Sequence, residues 1–264
     1  MINNKYEILD TINSGNYGKV YKVKYNNNLY ALKEEISNNI ILHNEANIYK
    51  ELRFVKNVGK MKDYFLFNNK NYLVLNLYDK NLMQIKCEKF GTTNYYKFIN
   101  NIFHILFKTI KNIHNYGFLH RDIKPSNICL NENYEPVIID FGFSKKYIVN
   151  NKHIKEKKIS SIIGSYSFIS KNVCNLIEPS RRDDIESLIY VYIYMIIISE
   201  HEKYIINLKN DYNDYNDSNN NLLSLSKLDS NIIENIIEIL SYIRSLKFES
   251  EPDYNYIINN LYYD

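Results

Sequence analysis

His120-Arg121-Asp122-Ile123-Lys124-Pro125-Ser126-Asn127, with Asp140-Phe141-Gly142 beginning thirteen residues beyond Asn127, is the stretch on which the reading of this chain turns. An amphipathic run from Tyr95 to His114 leads into it, and the short apolar segment Val137–Ile139 precedes Asp140. Asp122 and Asn127 stand five apart on one loop. Two carboxylates and an amide so placed orient a hydroxyl and hold magnesium, a hard cation that takes oxygen ligands and keeps phosphate oxygens in its shell. A charged surface turn would account for His-Arg-Asp alone. Lys124, Asn127 and Asp-Phe-Gly at these spacings point to chemistry instead.

Composition sets the outer limits. The 264 residues suffice for one large domain or two closely packed lobes, and a 45% hydrophobic content fits a globular chain. A net charge of +3 is too small to indicate a nucleic-acid binder. Cys87, Cys129 and Cys174 lie far apart with no Cys-x-x-Cys pair, which argues against a zinc site or a disulfide framework and suits a reducing compartment. Met1–Asp10 has no apolar core of a signal peptide, and Leu188–Ile198, the longest apolar run, falls short of the ~18 residues of a membrane span. The expectation there is a helix buried on all sides. No myristoylation glycine or prenylation cysteine is present. Only 7 glycines occur, so their positions are informative: Gly15, Gly18, Gly142 and Gly164 fall where a permissive backbone is expected.

Together, His120–Asn127 and Asp140–Gly142 resemble the catalytic and magnesium loops of a eukaryotic-type protein kinase. Other segments fit the same resemblance. Tyr6 to Leu32 alternates apolar and polar residues, as strands and hairpins do. Inside it, Ile12 to Val20 resembles the glycine-rich loop, where backbone N–H groups approach phosphates unobstructed by a Cβ. Asn13 replaces the first glycine of that pattern, and asparagine tolerates positive φ. An ordinary hairpin turn is the alternative.

Tyr30-Ala31-Leu32-Lys33 resembles the strand that carries the phosphate-neutralising lysine. The helical segment Asn38–Leu52, with an apolar stripe of Ile41, Leu42, Ile48, Tyr49 and Leu52, offers Glu45 as its partner. Glu34, Glu35 and Glu51 fit the spacing less well. Asn71–Leu75 reads as a strand, and Asn76-Leu77-Tyr78 as a hinge whose backbone would hold adenine, with Leu75 behind it. Tyr95–Asn115 has the 3.6-residue period of a helix with one buried face. His104 and His114 on it read as packing or surface residues, and Cys129 as a small apolar filler beneath adenine.

Phe143 to Ser160 reads as a basic loop, with Lys145, Lys146, Lys152, Lys155, Lys157 and Lys158 against Glu156 alone. It is either a solvated loop or a field for acidic substrates. Gly164-Ser165 resembles the close of an activation segment. Ser180–Leu188 (SRRDDIESL), Arg244–Phe248 and Glu251–Tyr254 resemble the casein kinase 1 family, as does Ser170-Lys171-Asn172, which stands where most kinases have Ala-Pro-Glu. Asp183 or Asp184 is expected to cap a buried helix beginning near Ile185. Two features depart from that family: Glu200-His201-Glu202 replaces its Leu-Pro-Trp, and Asn210–Asn221 is a polar low-complexity insert.

The resemblance runs from about Tyr6 to Leu261. It implies an α+β, bilobal protein-kinase fold, with a small β-rich N-lobe (1–78) above a larger helical C-lobe (79–264). It implies ATP and Mg2+ as cofactors and transfer of the γ-phosphoryl group to protein serine and threonine. Asp122, Lys124, Lys33 and Glu45 would be catalytic, and Asn127 and Asp140 would hold the metal. Ile12, Gly15, Gly18, Val20, Ala31, Lys33, Leu75, Asn76, Tyr78 and Cys129 would bind the nucleotide. The implied enzyme is a monomer in the cytoplasm, or the nucleus, acting on acidic protein substrates without direct nucleic-acid or membrane binding. A pseudokinase scaffold is the alternative from another class, drawing on Asn13, Asn76 and the polar insert. A vaccinia-related kinase is the enzymatic alternative, opposed by Arg121 where that group has glycine.

Overall fold

Three hairpins build the upper sheet, and asparagine rather than glycine turns two of them. The computed structural model describes residues 1–15, 18–35, 41–197, 205, 209 and 230–261. Strands β1 (Glu7–Gly15), β2 (Gly18–Tyr25) and β3 (Asn28–Glu35) run antiparallel, and β4 (Met61–Phe67) and β5 (Lys70–Asn76) complete a five-stranded sheet in the order β1-β2-β3-β5-β4. Tight two-residue hairpins need positive φ at both central positions. Asn26-Asn27 between β2 and β3 (φ 47 and 63) and Asn68-Asn69 between β4 and β5 (φ 49 and 59) supply it. The small cluster Ile2, Tyr6, Val23, Leu32, Tyr72 and Val74 packs one face of this sheet, with Tyr6 stacked on Phe65.

Helix α1 (Ile41–Glu51) covers the other face and turns Leu42, Glu45, Ala46, Ile48 and Tyr49 inward. Its first backbone donors are satisfied by Glu35, whose Oε1 accepts from Ile41 N–H at 3.1 Å and Leu42 N–H at 3.3 Å.

Below the hinge the chain becomes helical. Helix α2 (Leu82–Lys89), capped by Asn81 and Gln84, leads to α3 (Tyr95–Asn115), which has the expected bounds. The catalytic loop lies between β6 (Phe118–Leu119) and a short 3-10 turn (Pro125–Asn127). Next comes the hairpin of β7 (Ile128–Leu130) with β8 (Pro136–Ile138). Phe143 to Ser160 is more structured than a solvated loop. It carries β9 (Lys145–Lys146), paired with β6, and a hairpin of β10 (Ile148–Val149) and β11 (Lys152–His153) turned by Asn150-Asn151, again at positive φ.

After α4 (Lys171–Cys174), helix α5 (Arg181–Ile196) crosses the middle of the lobe, buried along all but its first residue. The sequence places its start near Ile185 with Asp183 or Asp184 as cap. The structure starts it four residues earlier, with Ser180 as N-cap. Asp183 folds back to accept Ser180 N–H at 2.7 Å, and Asp184 is drawn away to the catalytic loop. Buried carboxylates are tolerable only when paired, and Glu186 meets Arg244 at 2.9 Å and the Tyr190 hydroxyl at 2.6 Å. Helices α6 (Ser230–Ser245) and α7 (Tyr254–Leu261) pack against α5 and α3. Glu200–Glu202 and the insert at Asn210–Asn221 lie outside the described residues.

Candidate active site

The glycine-rich hairpin joins Gly15 to Gly18 across the strand pair, with its tip, Asn16-Tyr17, outside the described residues. Asn13 does not take the positive φ that its place in the pattern suggests. It sits in β1 opposite Val20, beside a bulge that absorbs the irregularity. Gly18 carries the real constraint: a Cβ there would lie 2.3 Å from the Glu34 carbonyl oxygen.

Lys33 lies opposite Val20 and Leu73 in the sheet, so its side chain emerges under the hairpin. Its ammonium is 2.7 Å from Glu45 Oε1 and 2.8 Å from Asp140 Oδ1. The competing acids have other partners, Glu34 with Lys70 and Glu51 with Lys146. Burial works against a charged lysine, but Asp140 and Glu45 outweigh it and raise the Lys33 pKa. Burial likewise opposes the charge on Asp140, yet Lys33, helped by His120 and Lys124, holds that carboxyl at about 2. Glu45 also accepts Phe141 N–H at 3.2 Å. Phe141 is fully buried between the rings of Tyr49 and His120, and the Tyr49 hydroxyl accepts Asp140 N–H at 3.0 Å. The Asp-Phe-Gly segment is thus fixed from α1 and from the catalytic loop at once.

Asp122 has a tight polar cage. Lys124 Nζ is 2.7 Å from its Oδ2, Ser165 Oγ donates to its Oδ1 at 2.9 Å, and Lys124 also donates to Ser165 at 2.9 Å. Asn127 spends its amide hydrogens on the Asp122 carbonyl (2.9 Å) and carboxylate (3.1 Å), leaving its own carbonyl oxygen as the ligand to offer. Gly164, at φ 96, permits this approach, since a Cβ there would lie 2.6 Å from Arg121 O. The loop itself hangs from α5. Asp184 accepts His120 N–H at 2.7 Å, Arg121 N–H at 2.8 Å and the His114 imidazole at 3.0 Å.

Lining a cleft of about 270 Å³ are Gly15, Gly18, Val20, Lys33, Glu45, Asp122, Lys124 and Asp140. Ile12, Ala31, Leu75, Asn76, Tyr78, Asn127 and Cys129 lie outside it. Asn76 and Tyr78 line a different cavity of about 760 Å³ on the hinge, with Tyr134 and Asn131. The Tyr78 hydroxyl accepts Lys60 N–H at 3.3 Å. Cys129 is buried, and burial pushes its thiol up to about 12, so it is inert.

Among the described residues no group of three or more His, Cys, Asp or Glu could cage a metal. The oxygen pair Asp140 and Asn127 suits an ion that keeps water and phosphate ligands and needs few from protein, as magnesium does.

The family description "Protein kinase domain" matches residues 6–250. The chain belongs to the protein kinase family. A casein kinase I homolog from Encephalitozoon cuniculi (strain GB-M1) is 32% identical over 266 residues, spanning 96% of this chain and 82% of the relative. A solved vaccinia related kinase 3 superposes with a TM-score of 0.73 over 97% of this chain and 85% of its own, at 17% identity. That likeness is one of fold. The kinase is a serine/threonine protein kinase of the casein kinase I kind, and its family in general uses ATP and Mg2+ and acts on proteins. The pseudokinase alternative is not favoured.

Two contacts that support this kinase's site lay beyond the sequence reading. His114, read there as packing or surface, is buried and donates to Asp184 while its other nitrogen meets the Tyr254 hydroxyl at 2.6 Å. Burial lowers its pKa against the pull of Asp184. Glu178 was missed altogether. Its signal was available: it is the one acidic residue between Lys157 and Arg182.

Proposed function

We propose that Asp122 takes up the proton of a serine or threonine hydroxyl as that oxygen attacks the γ-phosphorus and the bond to the bridging oxygen of the leaving ADP breaks. Supporting this is the pairing of Asp122 with Lys124 and Ser165 in the same cleft as the Lys33–Glu45–Asp140 triad. Lys124 is placed to offset charge on the transferring group, and Lys33 to neutralise the nucleotide phosphates. Asp140 and Asn127 present the oxygens for magnesium, which when bound draws the phosphate oxygens together and offsets their charge. Glu45 positions Lys33. The backbone at Gly15 and Gly18 covers the phosphates, while Ile12, Val20, Ala31, Leu75 and Cys129 wall the base and the hinge at Asn76 and Tyr78 holds its edge. This division puts the N-lobe at 1–78 and the C-lobe at 79–264.

The preferred substrates are acidic proteins, drawn by residual positive charge along the activation segment. Much of that charge is already committed: Lys145 and Lys157 face Glu178, and Lys158 donates to Asn175 O. Lys152 and Lys155 are the lysines of this stretch with no partner among the described residues. The enzyme acts as a cytoplasmic monomer, a setting consistent with three free cysteines. Among the described residues no helix is long and apolar enough to cross a membrane.

Transfer of labelled phosphate by the purified protein tests the reading. Casein should acquire phosphoserine and phosphothreonine, and a tyrosine-containing polymer should stay unlabelled. Labelling of the polymer, or none of either, would contradict it.

A further inference from the structure

Ser165 places the residues that follow it beside the reaction. Its Oγ donates to Asp122 Oδ1 at 2.9 Å, so a hydroxyl delivered to Asp122 arrives next to it. The chain then turns: Phe168 N–H donates to Ser165 O at 2.8 Å, with Tyr166 and Ser167 at the centre of the turn. Phe168 is buried with its ring edge-on to Tyr194 of α5, whereas Tyr166 is 57% exposed. A protein substrate has to run past this rim, since its acceptor residue is one link of a chain.

Lys209, from the chain beyond α5, holds the turn from its buried side. The residue is 4% exposed, and its ammonium donates to Tyr166 O at 2.7 Å and to Ser167 O at 3.2 Å. The same nitrogen lies 5.4 Å from the centre of the Tyr166 ring and 5.1 Å from that of Tyr190 in α5. Burial pushes its pKa down to about 8, and Glu186, which faces it, is held at 2.9 Å by Arg244. A buried ammonium is unfavourable unless hydrogen-bonded, and two of its three hydrogens go to these carbonyls. Both carbonyls belong to the substrate rim. The trans peptide between Tyr166 and Ser167 sets its N–H opposite its carbonyl. With the carbonyl turned onto Lys209, the Ser167 N–H points the other way, and no acceptor among the described residues takes it.

We propose that Lys209 is a positioning residue for the protein substrate, fixing the turn from Ser165 to Phe168 so that the Ser167 N–H and the Tyr166 ring meet the chain beside its acceptor residue. The inference rests on the proposed function and concerns substrate recognition at that same site. An extended substrate offers the N–H a backbone carbonyl, a contact that does not depend on side-chain sequence.

The test uses the full chain with casein and ATP. Lys209→Met keeps the apolar stem and removes the ammonium. It should raise KM for casein about fivefold or more, with a smaller change in kcat and KM for ATP within about twofold of wild type. Lys209→Gln, whose amide still donates to a carbonyl, should lie between Lys209→Met and wild type. A wild-type KM for casein in Lys209→Met would overturn the inference. So would equal KM values for casein in the two variants, or a KM for ATP that rises in step, the mark of general damage. Should neither variant fold, wild type decides alone. A saturating casein-derived peptide with alanine at the acceptor should slow acetylation of Lys209 by acetic anhydride, read by mass spectrometry, and ATP alone should not. Labelling that ignores the peptide would overturn the inference. Failure of the underlying functional reading is distinct, since wild type itself would then transfer no phosphate to casein.

Discussion

Lys33 Nζ lies 2.7 Å from Glu45 Oε1, so the acid on the helix holds and aims the ammonium of the strand. Asp140 shares that ammonium at 2.8 Å, and the two acids differ in what they hold. Glu45→Gln should leave Lys33 on Asp140 and cost about 1.5–3 kcal/mol, on the scale of a hydrogen bond to a charged group, or roughly 10–150-fold in kcat/KM. Lys33→Met, which strips both acids of their partner, should cost more. Steady-state kinetics of the two variants check the order.

A second prediction concerns acid. Asp140 is held at about 2, below the ordinary value near 3.9. Its folded pKa is depressed, so its contribution to stability is complete above about pH 4 and is lost as pH falls toward 2. Asp183 runs the other way: burial pushes it up to about 6, so its contribution is complete below about pH 4 and is lost as pH rises to 6. Urea unfolding should therefore show wild type losing more stability than Asp140→Asn between pH 5 and 3. Equal slopes would contradict the ion pair.

The chain from Tyr254 through His114 to Asp184 gives a third. Tyr254→Phe leaves a fully buried imidazole nitrogen without its partner, at a cost of about 1–3 kcal/mol. Chemical denaturation should show this loss. Because Asp184 still carries His120 N–H and Arg121 N–H, KM for ATP should change little.

Substrate preference supplies a fourth. The position two beyond Gly164-Ser165, where the casein kinase 1 family carries an arginine for primed sites, is Ser167. The nearby Lys209 is no substitute: it is buried, and its ammonium is spent on the carbonyls of Tyr166 (2.7 Å) and Ser167 (3.2 Å). A missing charge-assisted contact removes about 1.5–3 kcal/mol of primed-site recognition. Matched peptides with and without an upstream phosphate should differ by only a few fold in kcat/KM, with a salt-sensitive preference for acidic ones. A hundredfold gain that persists at high salt would contradict this.

The sequence pointed to the candidate site more readily than to the contacts that support it. That Asp122, Lys124 and Asn127 would come together was legible because they stand at short, fixed spacings on one loop. The Lys33–Glu45 pair was legible because a strand and a helical stripe each offered one good residue. The hairpin turns were obscured because Asn26-Asn27, Asn68-Asn69 and Asn150-Asn151 do the work that glycine usually signals. Asn13 misled for the converse reason, since a bulge made positive φ unnecessary. Asp184 looked like a cap from its place beside an apolar run. Its backbone contacts to residues more than sixty positions earlier are set by packing, which no local pattern records. Glu178 is the same kind of case, a single acid whose partners Arg121, Lys145 and Lys157 come from three segments.

The central claim is that Asp122 acts on the substrate hydroxyl and not on nucleotide binding. Asp122→Asn keeps the size of the side chain and removes its charge, and its kcat should fall by about three orders of magnitude or more. The direct measurement pairs that rate with the thermal shift on adding Mg-ATP. The account predicts a shift close to wild type in Asp122→Asn and a lost shift in Asp140→Ala. Near-normal turnover by Asp122→Asn would contradict it.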